Sequence, residues 1–452
     1  MKIHFIAVGG AAMHNLAIAL HKKGYLVTGS DDEIFEPSKS RLAKYDLLPK
    51  QYGWFPENIS DEIDIIILGM HARIDNPELV RAKELSLKIY SYPEYLYEQT
   101  KNKTRVVIGG SHGKTTITSM VMHVLKTANV GFDYMVGANI KGFDTMVQLE
   151  DKNEVAVFEG DEYLSSPIDL TPKFHWYKPH IAVLTGIAWD HINVFPTFDF
   201  YVDQFAIFVK SIQKDGNLYW FDEDENLRKI SNINPDITSE SYNKLDSFQN
   251  ADGKTCVKYN DETFVLSIFG DHNLQNLNAA LLICKQIGVS ELDFWSAIVN
   301  FEGASKRLQL IKENSNSSFY LDFAHAPSKL KATINALKQK NQNRKLIACI
   351  ELHTFSSLQK NFLPQYLNTM KNADIAIVYY SPEVLAHKRL PDISSEFVKT
   401  CFGENVVVYT ETEKLQDYLK QIDSNSTNLL MMSSGNFNGI DFVKFAEEII
   451  KD

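Results

Sequence analysis

Short apolar runs alternate with stretches of helical periodicity along most of this chain. Residues 3–8 are apolar apart from His4, Gly9 and Gly10 follow them, and residues 11–23 then place Leu16 and Leu20 at helical spacing. Continuous apolar runs are typical of strands buried on both faces of a parallel sheet. Further strands at residues 26–28, 63–68 and 89–90 therefore predict a small α/β domain at the N-terminus.

The same alternation continues in two further blocks. Predicted strands with helices between them fall at residues 106–108, 155–158, 181–185, 319–323, 346–350, 375–379, 406–409 and 429–432. Residues 101–104 are polar and are predicted to be a linker. We predict an α/β fold with three domains, at residues 1–103, 104–304 and 305–452: a Rossmann-like N-terminal domain, a central phosphate-loop domain with a parallel sheet, and a Rossmann-like C-terminal domain.

A glycine-rich turn between the strand at 106–108 and the next helix is the strongest chemical signal. It consists of Gly110, Ser111, His112, Gly113, Lys114, Thr115 and Thr116. Its backbone N–H groups can converge on phosphate oxygens, the Lys114 ammonium can reach the terminal phosphates, and the Thr115 hydroxyl can bind Mg²⁺. The turn is shorter than the general pattern, which would place its first glycine at Ile108. It predicts an ATP site.

Acidic and imidazole side chains follow two of the central strands. Glu159 ends the strand at 155–158, and Asp190 and His191 follow the strand at 181–185. Mg²⁺ prefers oxygen ligands and keeps several waters, so one carboxylate, one hydroxyl and the phosphates suffice. We predict Glu159 as the carboxylate for one ion and His191 as a ligand for a second. The alternatives are a solvated acid at a strand end and a structural histidine.

The N-terminal turn predicts a phosphate-bearing ligand of a less specific kind. A dinucleotide site would show the pattern Gly-x-Gly-x-x-Gly, whereas this chain has Gly9-Gly10-Ala-Ala-Met-His. NAD is therefore disfavoured, while a phosphate near Gly9 and Gly10 remains the favoured interpretation.

Composition and charge exclude several classes of function. The net charge of −11 and the absence of a basic stripe argue against nucleic-acid binding. The four cysteines are far apart and are predicted to be reduced, as in the cytosol. No apolar run approaches the length of a membrane span. We expect a cytoplasmic protein with no membrane and no nucleic-acid partner, either a monomer or a weak homodimer.

Taken together, six motifs resemble those of the Mur ligase family in order and spacing. They are the turn at 110–116, Glu159-Gly-Asp-Glu162, Asp190-His191, Asp271-His272-Asn273 with Asn276, Lys306-Arg307-Leu308, and Asp322-Phe-Ala-His325-Ala-Pro327. The resemblance covers essentially the whole chain.

This resemblance implies an ATP-dependent amide ligase of bacterial wall synthesis that acts on UDP-N-acetylmuramate through an acyl phosphate. Lys114, Glu159, His191, Arg307 and His325 would be catalytic, and Mg²⁺ would be bound by Thr115, Glu159 and His191. His272, Asn273, Asn276, Arg307 and Asp322 would join the turn in binding ATP. The remaining implied residues would hold the uridine nucleotide, and they are Gly9, Gly10, Ser30, Asp31 and His71.

The resemblance assigns the N-terminal domain to the UDP-sugar, the central domain to ATP and the C-terminal domain to the amine. Several segments, among them residues 161–163, 173–179 and 432–440, favour the tripeptide L-alanyl-γ-D-glutamyl-meso-diaminopimelate over L-alanine as acceptor. Relatives have an arginine within the stretch that corresponds to residues 351–357, and this chain has none there. Such an arginine would bind a substrate carboxylate.

Two other classes of function remain open at this point. A ligase of the folylpolyglutamate synthase type would share the phosphate loop, but it would lack the N-terminal domain built around Gly9 and Gly10. A non-catalytic sensor of wall precursors would keep the pocket without the chemistry. The presence of Lys114, Thr115 and Glu159 disfavours the sensor.

Overall fold

The computed structural model describes residues 1–403, 405–422 and 425–451. The chain divides into two compact units. The first comprises Met1–Ile187, Asp199–Asn243 and Asn278–Ile298, and the second comprises Ala188–Phe198, Lys244–Leu277 and the chain from Val299 onward. Each unit is built on mostly parallel sheets with helices on their faces, which confirms the predicted α/β class.

The first unit begins with a four-stranded parallel sheet in the order β2-β1-β3-β4. The strand β3 consists of four buried aliphatic residues, as expected for a sheet covered on both faces. The helix α3 starts at a proline, and the Asn76 side chain before it accepts hydrogen bonds from the first free backbone amides. The elements of this part are β1 (Lys2–Ile6), α1 (Ala11–Lys22), β2 (Leu26–Ser30), α2 (Ser38–Ala43), β3 (Ile65–Leu68), α3 (Pro77–Glu84), β4 (Lys88–Ser91) and α4 (Tyr92–Thr100), with a 3₁₀ turn at Pro56–Asn58.

A seven-stranded sheet in the order β13-β12-β11-β5-β8-β6-β7 completes the first unit. All neighbours are parallel except β7, which is antiparallel to β6. Its elements are β5 (Thr104–Gly109), α5 (Lys114–Thr127), β6 (Phe132–Met135), β7 (Val147–Gln148), β8 (Val155–Glu159), a hairpin of β9 (Leu164–Ser166) and β10 (Asp169–Pro172), α6 (Lys173–Trp176), β11 (Ile181–Leu184), α7 (Phe198–Ser211), β12 (Asn217–Phe221), α8 (Glu225–Ile230) and β13 (Thr238–Tyr242).

A buried arginine fixes the junction between these two sheets. Arg105 is 2% exposed, and its guanidinium donates hydrogen bonds to backbone carbonyls of Thr100, Lys101 and Lys103 on one side and of Tyr177 and Lys178 on the other. Charged hydrogen bonds to buried carbonyls are among the stronger ones in proteins. The predicted linker is therefore a short turn held by side-chain hydrogen bonds, and the strand β5 begins within it.

The second unit contains a three-stranded antiparallel sheet and a six-stranded sheet. The larger sheet has the order β17-β18-β22-β19-β20-β21 and is parallel except for β17. No strand was predicted at β17, whose residues are largely exposed at the edge of the sheet. The elements are β14 (Phe248–Gln249), β15 (Thr255–Tyr259), β16 (Glu262–Val265), β17 (Gln309–Glu313), β18 (Ser318–Asp322), α11 (Pro327–Lys340), β19 (Lys345–Glu351), β20 (Ile375–Tyr379), α12 (Pro382–His387), α13 (Ser395–Phe402), β21 (Val406–Tyr409), α14 (Thr412–Gln421), β22 (Thr427–Met432) and α15 (Phe442–Ile449), with 3₁₀ turns at Ser356–Leu358 and Leu363–Tyr366.

Two helices follow β16 along the chain, α9 (Asp271–Ile287) and α10 (Glu291–Ile298). The start of α9 up to Leu277 belongs to the second unit, and residues 278–298 belong to the first. Separate apolar clusters cover the two faces of the six-stranded sheet, one beneath α11 and α13 and the other beneath α14 and α15. The carboxyl ends of β18, β22 and β19 lie in register, because Met432 pairs with both Asp322 and Ile350. Side chains that follow these strands therefore share one edge of the sheet.

Candidate active site

The glycine-rich turn joins the carboxyl end of β5 to the helix α5 in the first unit. Its backbone is shaped by Gly110, which has a φ of +115°. A Cβ at Gly110 would lie 2.2 Å from Thr185 Oγ1, so no other residue fits without displacing that strand end. The turn is also held by a hydrogen bond of 2.9 Å from the Ser111 amide to the Gly186 carbonyl. These contacts leave the start of α5 as an anion-binding helix N-terminus.

The Lys114 side chain is buried beside carboxylates in this turn. Its ammonium lies 2.7 Å from Glu162 Oε2 and donates to the Gly110 carbonyl at 2.6 Å. The Glu162 side chain is only 2% exposed and also accepts a hydrogen bond from the Tyr201 hydroxyl. Burial opposes the charge on Lys114, but the charges of Glu162 and Asp161 outweigh it and raise the Lys114 pKa. Lys114 is therefore a charged cation next to the turn.

Thr115 and Glu159 provide adjacent oxygen atoms at the start of α5. The Thr115 hydroxyl donates to Glu159 Oε1 at 2.8 Å, and the Gly137 amide donates to Glu159 Oε2 at 2.7 Å. A hydroxyl and a carboxylate at this separation fit the oxygen ligands that Mg²⁺ takes next to phosphates. Within the described residues, no three His, Cys, Asp or Glu side chains form a metal site by themselves. The pair thus fits a magnesium ion that is completed by phosphate and water.

The N-terminal turn of the same unit brings together part of the predicted uridine nucleotide set. The Gly9 amide donates to Asp31 Oδ2 at 2.7 Å, and a Cβ at Gly10 would lie 3.8 Å from the His71 ring. Burial raises the Asp31 pKa to about 6. Ser30 points elsewhere, because its buried hydroxyl donates to the Glu78 carboxylate inside the sheet. Gly9, Gly10, Asp31 and His71 thus share one end of the sheet, whereas the Ser30 side chain packs within it.

The other predicted residues belong to the second unit. His191 has a left-handed backbone with a φ of 54°, and its amide donates to Asp190 Oδ1 at 2.7 Å. Asp190 Oδ1 also accepts a hydrogen bond from Ser356, and Asp190 Oδ2 lies 3.8 Å from His325 Nε2. Burial opposes the Asp190 charge, yet His191, His325 and Lys329 lower the Asp190 pKa. Burial and the charge of Lys329 lower the His325 pKa to about 3, so this imidazole is neutral near pH 7.

Asp322, the last residue of β18, is the second carboxylate of the candidate site in this unit, after Asp190. Its carboxylate accepts hydrogen bonds from the Thr333 hydroxyl at 2.9 Å and from the Ala324 amide at 3.0 Å. Burial raises the Asp322 pKa, and Arg307, the Thr333 hydrogen bond and His272 act against that rise. Burial also lowers the His272 pKa. Asp322, Arg307 and His272 are therefore close enough to interact electrostatically.

The remaining residues that were predicted to bind ATP have structural contacts of their own. The Arg307 guanidinium lies 4.3 Å from the centre of the Phe323 ring. The Asn273 amide donates to the Phe269 carbonyl at 2.9 Å, and Asn276 is buried one turn further along α9. The start of α9 thus lies in the same unit as Arg307 and Asp322.

Sequence reasoning missed the network that holds the phosphate loop. Tyr201 on α7 lies 3.2 Å from the Ser111 hydroxyl and donates to Glu162, which in turn binds Lys114. In the sequence, Glu162 was identified only as one position of a family motif. Tyr201 lies in an aromatic-rich helix and belongs to no recognisable motif. Neither position has a chemical pattern that a single sequence reveals, because the pairing depends on how α7 packs.

Profiles of one protein family match almost the whole chain. The Mur ligase family catalytic domain matches residues 2–104, the Mur ligase middle domain matches residues 108–284, and the glutamate ligase domain of Mur ligases matches residues 306–435. These matches agree with the resemblance predicted from the six motifs.

Individual relatives agree with the profiles. The UDP-N-acetylmuramate–L-alanine ligase of Caldicellulosiruptor bescii is 33% identical over 392 residues, which is 83% of each chain. The crystal structure of a murein peptide ligase from Psychrobacter arcticus has a TM-score of 0.70, 22% identity and complete coverage of both chains. That of the UDP-N-acetylmuramate–alanine ligase from Thermotoga maritima has a TM-score of 0.71 and 22% identity, and it covers 97% of this chain and 96% of that one. With its phosphate loop in place, the chain belongs to the Mur ligase family and is an ATP-dependent amide ligase.

Proposed function

We propose that this protein uses ATP to activate the carboxylate of UDP-N-acetylmuramate and joins it to the amino group of a short peptide in peptidoglycan synthesis or recycling. One observation supports this above all others: Lys114, Thr115 and Glu159 surround the start of α5 directly after the glycine-rich turn. The same three side chains disfavour a sensor that has lost its chemistry.

The reaction follows from the weak reactivity of a free carboxylate. A carboxylate oxygen attacks the terminal phosphorus of ATP, ADP leaves, and the product is an acyl phosphate. The acceptor amine then attacks the acyl carbon, and the carbon–oxygen bond to phosphate breaks. The Lys114 ammonium would neutralise charge on the transferred phosphoryl group, and amides of residues 110–116 would bind the phosphates.

Mg²⁺ would be held by the Thr115 hydroxyl and the Glu159 carboxylate, where it supplies positive charge to the phosphates. A second ion would involve His191. On the second unit, His272, Asn273, Asn276, Arg307 and Asp322 would contact ATP, and His325 would lie near the amine. The uridine nucleotide would bind at Gly9, Gly10, Asp31 and His71, with Ser30 behind them.

The domain boundaries that we propose are residues 1–103, 104–304 and 305–452, in the order UDP-sugar, ATP and amine. The protein would act in the cytoplasm, where ATP is available, as a monomer or weak homodimer. Among residues 1–403, 405–422 and 425–451, no helix is long and apolar enough to cross a membrane.

We propose the tripeptide L-alanyl-γ-D-glutamyl-meso-diaminopimelate as the acceptor. Residues 161–179, part of the sequence that favours this acceptor, are ordered in the structure. After Glu162 the chain forms the β9–β10 hairpin and α6, and the Lys173 ammonium lies 2.5 Å from Asp161 Oδ2. L-Alanine is the second candidate, because the relative that is 33% identical to this chain is named a UDP-N-acetylmuramate–L-alanine ligase.

The test is ATP-dependent phosphate release with UDP-N-acetylmuramate as donor. L-Alanine, the tripeptide and the corresponding tetrapeptide are compared at equal concentrations. We expect turnover with the peptides that exceeds turnover with alanine. Turnover with alanine alone would show that L-alanine and not the tripeptide is the acceptor, while the ligase activity itself would stand. Phosphate release that depends on a folate and not on the uridine nucleotide would refute UDP-N-acetylmuramate as the donor.

A further inference from the structure

A carboxylate and an imidazole lie together at the carboxyl edge of the six-stranded sheet, apart from Asp322 and His325. Glu351 is the last residue of β19, and His353 follows two positions later. Ser433, Ser434 and Gly435 follow β22, the neighbouring strand. Ligands of open α/β sheets bind at this edge. None of these five residues has a role in the activation of the carboxylate described above.

Glu351 is a buried anion with a fixed orientation. It is 2% exposed, accepts a hydrogen bond from the Phe437 amide at 2.9 Å and accepts another from the Ser433 hydroxyl. Burial works against its charge, but the nearby His353 imidazole and the hydrogen bonds from the Ser433 hydroxyl and the Phe437 amide lower the Glu351 pKa. The carboxylate is therefore charged near pH 7.

His353 lies between this carboxylate and solvent. Its Nδ1 is 3.6 Å from Glu351 Oε1, and its side chain is 34% exposed. This Nδ1 has no hydrogen bond at normal distance within the described part of the chain. A carboxylate at Nδ1 orients an imidazole, which leaves Nε2 to accept a proton from a ligand. Hydrogen bonds of this kind are often long before substrate binds.

The turn after β22 is shaped to fit around the imidazole. A Cβ at Gly435 would lie 2.7 Å from His353 Nδ1 and 2.8 Å from Glu351 Oε2, so only glycine allows this approach. The adjacent Ser434 hydroxyl is buried and has no hydrogen-bond partner among the described residues. A buried hydroxyl without a partner costs about 1–3 kcal/mol, and a bound polar group would remove that cost.

No other ionisable group competes for this carboxylate from the turn. The ionisable neighbours that interact with Glu351 are His353, Cys349 and Tyr379. Residues 433–439 contain none. The pair thus has a net charge of −1 when His353 is neutral and zero when it is protonated. The net charge of −1, with His353 neutral, suits an ammonium group better than a carboxylate.

We propose that Glu351, His353 and Ser434 form the subsite for the attacking amino group of the acceptor, and that His353 Nε2 takes a proton from its ammonium form. Glu351 is a positioning residue that acts through His353. The inference rests on the proposed function, because it assigns one proton transfer within that reaction. His325 is less suited to this task, because its Nε2 lies 3.8 Å from Asp190 Oδ2 and its ring is buried more deeply.

The proton balance is simple. The ammonium group loses one proton to His353, and the freed electron pair forms the bond to the acyl carbon. The carbon–oxygen bond to phosphate breaks, and the second amine proton leaves with the phosphate. The acyl phosphate supplies the leaving group, so no further reactant is required.

The test compares two nucleophiles in the full-length enzyme with ATP and UDP-N-acetylmuramate. Hydroxylamine is already unprotonated at neutral pH, so hydroxamate formation requires the acyl phosphate but no base. The peptide amine requires both. The variants are His353→Gln and Glu351→Gln, and the matched control is His387→Gln, an exposed histidine in the last turn of α12.

For His353→Gln we expect the kcat of amide formation to fall by about 10²–10⁴-fold, while hydroxamate formation stays within about twofold and shows that the protein is folded. Glu351→Gln is expected to lower the kcat for the amide with little change in the KM of the acceptor, and His387→Gln is expected to change neither reaction. Equal loss of both reactions in His353→Gln, or loss of neither, would overturn the inference. Absence of hydroxamate with the unmodified enzyme would instead overturn the proposed function and, with it, this inference.

Discussion

Removal of the Lys114 ammonium is expected to destabilise the first unit as well as abolish activity. The ammonium and the Glu162 carboxylate are 2.7 Å apart and largely buried. At an effective dielectric constant of about 20, two charges at that distance attract by roughly 6 kcal/mol before the cost of desolvation. Lys114→Met would leave the Glu162 carboxylate, which is 2% exposed, without this ammonium, while the Tyr201 hydroxyl still donates a hydrogen bond to it. Loss of one partner of a buried pair costs about 3–5 kcal/mol.

The double variant Lys114→Met/Glu162→Gln separates stability from catalysis. It removes both charges, so the opening free energy of α5 should return to within about 1–2 kcal/mol of the original protein. ATP-dependent phosphate release should remain reduced by at least about 10²-fold in both variants. Hydrogen exchange of the α5 amides measures the opening free energy. Unchanged exchange in Lys114→Met, or restored activity in the double variant, would refute the assigned roles.

Three further predictions test the fold around the site. Gly110→Ala should lower the free energy of unfolding, measured by urea denaturation, by about 2–5 kcal/mol, because the new Cβ would lie 2.2 Å from Thr185 Oγ1. The control is Gly288→Ala, where Gly288 has a φ of 102° and its Cβ would meet no atom within 4 Å, and there the loss should be much smaller. The pKa of His325 is about 3 in the folded protein against an ordinary 6.5, so the unfolded chain binds the extra proton in that window. As the pH is lowered from 6.5 to about 3, the free energy of unfolding should therefore fall by about 1.4 kcal/mol per pH unit. His325→Gln should flatten this slope in urea titrations at several pH values. Arg105→Met should lower the free energy of unfolding by about 3 kcal/mol or more in the same urea assay, because it removes the hydrogen bonds to the carbonyls of residues 100, 101, 103, 177 and 178. An unchanged urea midpoint would contradict the role of this arginine.

Much of the fold could be predicted because continuous apolar runs mark buried parallel strands. The predicted strands at residues 375–379 and 406–409 match β20 and β21 to the residue, and the ends of the others differ by at most two residues. Several of the missed elements are of the opposite kind, although the unpredicted strands β6 and β12 are largely buried. The edge strand β17 and the three-stranded sheet of β14, β15 and β16 have exposed or mixed residues, so their pairing depends on neighbours rather than on an apolar pattern.

The candidate site, like the fold, was predictable only in part. The phosphate loop was predictable because its chemistry needs glycine, lysine and threonine at fixed spacing in one short segment. The pairing of Lys114 with Glu162, and the inward orientation of the Ser30 hydroxyl toward Glu78, depend on contacts between residues more than forty positions apart. The site at Glu351 and His353 shows the same limit, because Ser433 and Gly435, which contact this pair, come from a distant part of the chain. From the sequence alone, only the absence of arginine from residues 351–357 was noted.

The central claim is that the carboxylate of UDP-N-acetylmuramate is activated as an acyl phosphate. Donor labelled with oxygen-18 in this carboxylate tests the claim directly when the released phosphate is analysed by mass spectrometry. The account predicts that each phosphate released with the amide product contains one oxygen-18 atom from the donor. Amide product accompanied by unlabelled phosphate would contradict it.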